Sequence, residues 1–570
     1  MKFKLPKALL VAVLTSTVAQ AAPFIAEEAN IISTPENTTL SAEQKSILEK
    51  ELIADSTNTT PKPVIKYGEG SLSIEEDITL NNPLLIREGT VEIKNSTVTS
   101  MMTKPLTSYV PYLSVGGNNA SLKLDNAVIS HNSADTKLSA AALVIGMPDG
   151  GATVTLDNKS TLHTDHFLFA GDVGGMGTEY DYVKQVNNEP ESYSGDGSTK
   201  STINILNRST MSAGTSLQFS NVTVNIDGEG SCLSDNTLGK SPDSPANVDP
   251  CTYLAYDGAD NVETIINVTG GAHLDCNWNV STGKSKDSLT QITVDGTNEG
   301  GTVKSTFSVA GTADFGGAEG WWSMNNAPKD GSSNTEVIVK NGAEAQFNQV
   351  KVGSNRQASI SIDSNSTIVA HEGATNALIT VYELGTIENS GIIELDITVN
   401  GGTYLGDGDA DQFGGSVFTI LDGSVVEGLT MTTGTVNISG EVSLTNVTFG
   451  TEPVAMYSLM TLSGESDALT LNISDGAVIN ADELVINETA TINMVLSEDN
   501  TGSITITGTD ASKVSALKQQ LEATMNTVDS TGATVDTGSV SITTNVVPEP
   551  ATATLSLLAL CGLCARRRRK

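Results

Sequence analysis

Aromatic residues make up only 4% of the 570-residue chain and charged residues only 17%. A helical bundle of this size would be rich in Glu, Lys, Ala and Leu, so that class is excluded. Arginine is nearly absent from the body, where Arg87, Arg208 and Arg356 are the whole set, and Asp+Glu outnumber Lys+Arg by 67 to 31. With a net charge of −36 and no basic cluster in the body, nucleic acid is not a partner, because phosphate binding needs gathered Lys and Arg. No G-x-S-x-G, no H-E-x-x-H and no P-loop occurs, which removes the common nucleophile, zinc and phosphate signatures. Cysteine and histidine number five each, too few for a disulfide scaffold or a metal array.

What the chain has in quantity is short alternation. Val91-Glu92-Ile93-Lys94-Asn95, Leu122-Lys123-Leu124-Asp125-Asn126, Val154-Thr155-Leu156-Asp157-Asn158, Val224-Asn225-Ile226-Asp227-Gly228 and Leu471-Asn472-Ile473-Ser474-Asp475-Gly476 all alternate apolar and polar residues and close on Asn, Asp or Gly. A period of two marks half-buried strands, and Asn and Gly supply the positive φ of a tight bend. A longer unit recurs: Leu113-Ser114-Val115-Gly116 leads to Ala120-Ser121-Leu122, Leu143-Val144-Ile145-Gly146 to Ala152-Thr153-Val154, and Val350-Lys351-Val352-Gly353 to Ala358-Ser359-Ile360. Repeats of this size built from short strands point to a solenoid. The expected fold is all-β, a right-handed parallel β-helix over 67–508 of about 18 coils, with a series of β-sandwiches as the alternative. Equivalent Asn, Ser and Thr are expected to stack as ladders. Two short helices are expected to cap the ends. Ser41-Ala42-Glu43-Gln44 forms a capping box ahead of Ile47, Leu48 and Leu52, and Asp510–Met525 carries Val514, Leu517 and Leu521 on one face. Segments 22–66 and 509–547 are then helix plus linker. The strand pattern, as in Ala120–Asn126, loosely resembles the passenger regions of autotransporter adhesins, although no outer-membrane barrel follows it.

Both ends carry addresses. Lys2, Lys4 and Lys7 precede an apolar stretch from Ala8 to Val18, and Ala19-Gln20-Ala21 is an A-x-A site, so residues 1–21 read as a cleaved export signal. At the other end Val547-Pro548-Glu549-Pro550 is followed by the uncharged segment Ala551–Ala565 and then Arg566, Arg567, Arg568, Arg569 and Lys570. As a helix those 15 residues span about 22 Å, short for a ~30 Å hydrocarbon core, with the basic cluster held on the cytoplasmic side. A Pro-Glu-Pro motif, a short membrane helix and an Arg cluster in this order resemble the PEP C-terminal sorting signal of Gram-negative bacteria (residues 548–570). The resemblance implies processing by an exosortase-type membrane protease at Pro548–Pro550, an inner-membrane intermediate, and delivery to the cell surface. Loss of the leader and of the tail beyond Pro550 removes eight basic residues and no acid, leaving 23 basic against 67 acidic residues.

Candidate chemistry is sparse. Secretion makes a Cys232–Cys251 disulfide plausible, closing the polar segment between them and leaving Cys276 as an odd thiol. Cys561 and Cys564 fall in the apolar tail and read as small apolar residues. Asp407, Asp409 and Asp411 resemble the start of a calcium loop, but Phe418 stands where an EF-hand needs Glu; no metal and no cofactor is expected. His163-Thr164-Asp165-His166 is the one His cluster. Trp321 and Trp322 adjoin, so one points outward on a strand and is the best candidate for stacking on a sugar ring. These features favour an exported structural or adhesin-like surface protein that meets extracellular polysaccharide or matrix. A polysaccharide lyase or glycosidase on a β-helix is the alternative.

Overall fold

The computed structural model describes residues 30–546 with breaks, the longer ones at 51–62, 172–199, 236–250, 317–332 and 451–468. The export signal with Ala19 and Ala21, the tail from Val547 to Lys570, Trp321, Trp322, Asp409 and Asp411 lie outside the described residues. Among the described residues no helix is long and apolar enough to cross a membrane.

The chain winds as a solenoid of parallel strands. Its first side is a single ladder of 18 strands, from Thr38–Thr39 to Ser539–Val546, each paired in parallel with the next. At about 4.8 Å per step that ladder is about 80 Å long. Most described coils then visit a second side and a third side. Phe167–Gly171, for instance, lies in register with Ser216–Ser220 one coil on. Two long strands, Thr306–Phe315 and Glu344–Val352, run through both of these sides and join them into one sheet. There Phe307, Phe315 and Phe347 fill the interior, with ring centroids 5.4–6.4 Å apart.

The period-two pattern sets what lies inside. Val91, Leu122, Val154, Ile203, Val224, Ile266 and Ile292 are partners from coil to coil and at most 1% exposed, so the inward residues form a continuous apolar column. The alternate residues face out and hydrogen-bond along the axis. Asn225 Nδ2 donates to Asn204 Oδ1 and Asn267 Nδ2 to Asn225 Oδ1, both at 2.9 Å. A second run links Asn437, Asn472 and Asn493 at 2.9–3.0 Å. These are the expected amide ladders. Glycines end the third-side strands because coils touch there: a Cβ on Gly353 (φ +73°) would sit 2.1 Å from Gly385 N.

Both expected helices form. Helix α1, Ala42–Glu49, has Ser41 and Gln44 in a reciprocal capping box at 3.2 and 2.9 Å. Helix α2, Ala511–Thr524, is capped by Asp510 and buries Val514, Leu517 and Leu521. In coil order each helix takes the second-side place that a strand takes elsewhere. α1 lies on Ile78–Leu80 at one end, where Asn81 Nδ2 donates to Glu49 O at 2.5 Å. At the other end Gln520 of α2 donates to Ile486 O at 2.5 Å.

The solenoid is longer than the sequence pattern indicates. Asn30–Ser33 already pairs with Val64–Tyr67, and Ser539–Val546 pairs along eight residues with Thr501–Gly508. Strand pairing among the described residues therefore runs beyond 67 and 508, to 30 and 546. These terminal strands are separated from the array by a helix, which hides their periodicity.

Replacing one inward residue tests the register. Leu122→Ala lowers unfolding stability by about 2–5 kcal/mol, and Lys123→Ala on the outward face changes it by less than about 0.5 kcal/mol, measured by urea unfolding.

Candidate functional site

Four of the described first-side strands end in four-residue turns of one kind. In the turns 157–160, 206–209, 269–272 and 340–343 the fourth N–H donates to the first carbonyl at 3.1–3.2 Å. Both central residues have positive φ in each: Asn158 and Lys159, Asn207 and Arg208, Gly270 and Gly271, Asn341 and Gly342. Positive φ at both positions is the type I′ requirement, for which Asn-Gly is the favoured pair. Asn341-Gly342 obeys it; Lys159 and Arg208, each at φ 67°, stand where glycine belongs. The equivalence is also marked by a shared contact. Arg208, Gly271 and Gly342 each donate their N–H to a serine Oγ, those of Ser231, Ser305 and Ser366, at 3.0–3.2 Å.

Asparagine and aspartate tie these turns together. Asn126 Nδ2 donates to Asn95 Oδ1 at 2.8 Å, Asn158 Nδ2 to Asp125 Oδ1 at 2.7 Å and Asn207 Nδ2 to Asp157 Oδ1 at 2.7 Å. Beside this ladder lies an open cleft of about 590 Å³ lined by Asn126, Asn158, Lys159, Asn207, Arg208, Gly228 and Glu229. Lys159 N donates to Asn207 O at 3.0 Å, so the two cationic residues belong to successive coils. Among the described residues neither cationic head has an ion-pair or hydrogen-bond partner; Lys45, Lys94, Lys200, Lys304 and Lys340 pair with acids, and Lys50, Lys123 and Lys351 are also unpaired but do not line the cleft. The sequence carries the signal, Asn-Lys and Asn-Arg in place of Asn-Gly, but it is readable only once the coils are aligned.

A second cluster lies at the end of the second side. Asp165 accepts from His131 Nδ1 at 3.1 Å and from His163 Nε2 at 3.2 Å, while His163 Nδ1 lies 2.8 Å from Ser212 Oγ. Tyr112 OH donates to His163 O at 2.8 Å. The order serine, imidazole, carboxylate is that of an activated nucleophile. Ser212 is only 6% exposed, however, so the group acts as a polar staple across neighbouring coils. Its members run from Tyr112 to Ser212, 100 residues apart in the chain, which is why the sequence shows only the His163–His166 fragment. Further along, Asp235 is buried and accepts from Thr252 Oγ1 at 2.5 Å and from Asn277 N at 2.6 Å. Burial pushes its carboxyl up to about 6.

The expected disulfide is absent. Cys232 is a free thiol whose Sγ contacts Asp275 Oδ2 at 3.5 Å. The reason is topological: Cys232 opens a second-side strand in register with Thr210 and His273, and Cys251 opens a third-side strand in register with Asn279. Burial and the Asp275 carboxylate push the Cys232 thiol up to about 12. Cys276 is a buried thiol outside any disulfide. Asp407 is exposed, and among the described residues no group of three or more His, Cys, Asp or Glu is placed to hold a metal ion. Comparison with known proteins returns no matching family model, no matching curated protein and no matching solved structure.

Two measurements follow from these groups. Asp235 has a folded value above its ordinary one, so its contribution to stability is full below pH ~4 and is lost as pH rises through ~6, a change of roughly 3 kcal/mol. Asp235→Asn keeps an acceptor for Asn277 N–H and offers a donor to Thr252; it is expected to be at least as stable as the parent at pH 7, with the gap closing below pH 4. Iodoacetamide at pH 8 is expected to leave Cys232 unmodified in the folded chain and to label it after unfolding; a linked Cys232–Cys251 peptide would show the opposite.

Proposed function

We propose that the chain is an exported structural protein, sorted through its C-terminal tail and displayed at the cell surface as a stiff, acidic rod. One observation carries this reading. The last described strand runs to Val546, and the Pro-Glu-Pro motif begins two residues later, at Pro548. Cleavage at that motif by an exosortase-type protease would leave every described strand of the ladder in place. The export signal likewise precedes the first described strand, which begins at Asn30. The winding is taken as right-handed, the sense that strand–connection–parallel-strand units adopt, and the apolar tail segment as a transient inner-membrane helix.

Display suits the body that would be released. Its strongly acidic surface stays soluble and repels like surfaces, and many coils offer repeated weak contacts whose strengths combine. The deciding measurement is the C-terminal residue of the native protein, read by mass spectrometry on a surface or medium fraction. A terminus within Pro548–Pro550 is the expected result; an intact Lys570 in that fraction would overturn sorting.

A further inference from the structure

We infer that the cleft at Lys159 and Arg208 is a binding site for an anionic saccharide, a polysaccharide whose sugar units carry carboxylate or sulfate groups. The backbone gives the first reason. A side chain at left-handed φ is strained, and such strain concentrates where function holds it. Successive coils accept it at equivalent turn positions, with Lys159 and Arg208 both at φ 67°, while two later turns relieve it with Gly271 and Gly342. Charge gives the second. The chain carries a net charge of −36, yet these two cations are left without an acidic partner among the described residues, so an external anion is the group that would complete them.

The surroundings define the rest of the ligand. Successive coils set the two backbone positions about 4.8 Å apart along the axis, so both side chains can reach anionic groups on one chain laid along the rod. Asn126, Asn158 and Asn207 each use one amide hydrogen within the ladder and keep a second donor. Glu229, also without a partner, supplies an acceptor. A carboxylate acceptor beside two cations disfavours a compact polyanion and favours a molecule bearing hydroxyls as well as negative charge, which is the chemistry of an acidic sugar. The cleft volume, about 590 Å³, is that of a small-ligand site, and its open form admits a polymer.

The inference rests on the display reading only for its biological setting, because binding is read in solution whatever the route of the protein. The test is calorimetric titration of the full chain with oligogalacturonate, dextran sulfate and neutral dextran. One or both acidic polymers are expected to bind, more weakly as salt is raised, and neutral dextran is not; the two acidic arms separate carboxylate from sulfate recognition. Lys159→Gly and Arg208→Gly install the residue used at Gly271 and Gly342, so each variant should melt no lower than the parent while losing affinity about tenfold. Equal affinity in the double variant, equal binding of neutral dextran, or no binding by either acidic polymer would overturn the assignment.

Discussion

The parallel pairing of each coil with the next is the constraint from which the rest of this molecule follows. Once Leu122 is fixed opposite Val91 and Val154, every neighbour of Leu122 along its strand is also fixed. Like residues then meet like. Apolar residues stack into the column, amides hydrogen-bond along the axis, and serines reach the turn N–H groups of adjacent coils. No single contact in these rows is strong. Their value lies in repetition, because each coil shields the backbone hydrogen bonds of its neighbours and would lose its own partners without them.

An end of such a ladder has no neighbour, and α1 and α2 address the same difficulty in the same place. A helix satisfies its own backbone groups, so it covers a strand edge without presenting another. The buried faces are modest, Leu48 in α1 and Val514, Leu517 and Leu521 in α2. Their role is therefore termination of the second side rather than core formation.

Much of this was legible in the residues and some was not. The alternation in Val154–Leu156 or Leu471–Ile473 identifies strands directly, and Ser41 with Gln44 announces a helix start, since both signals are local. The first strand, Asn-Ile-Ile-Ser, has only four residues and no repeat beside it, so it reads as linker. Pairing of Cys232 with Cys251 looks natural in a linear chain, but the bend between two sides separates what sequence brings near. Conversely, His131 and His163 converge on Asp165 because a coil returns the chain to the same corner. The turn cations were hidden for a related reason: Lys159 and Arg208 look ordinary until set against the glycines of other coils.

Coil length varies widely while the ladder does not. From Thr386 to its partner Thr403 the chain uses 17 residues, and from Thr153 to its partner Thr202 it uses 49. Both coils advance the rod by one strand spacing. Reach is thus counted in coils and girth in residues, and the two can change independently: an insertion at a bend thickens the molecule locally, whereas only a whole added coil moves its tip outward. Such a protein is a ruler with interchangeable markings, its graduation set by the backbone and its surface left free to vary.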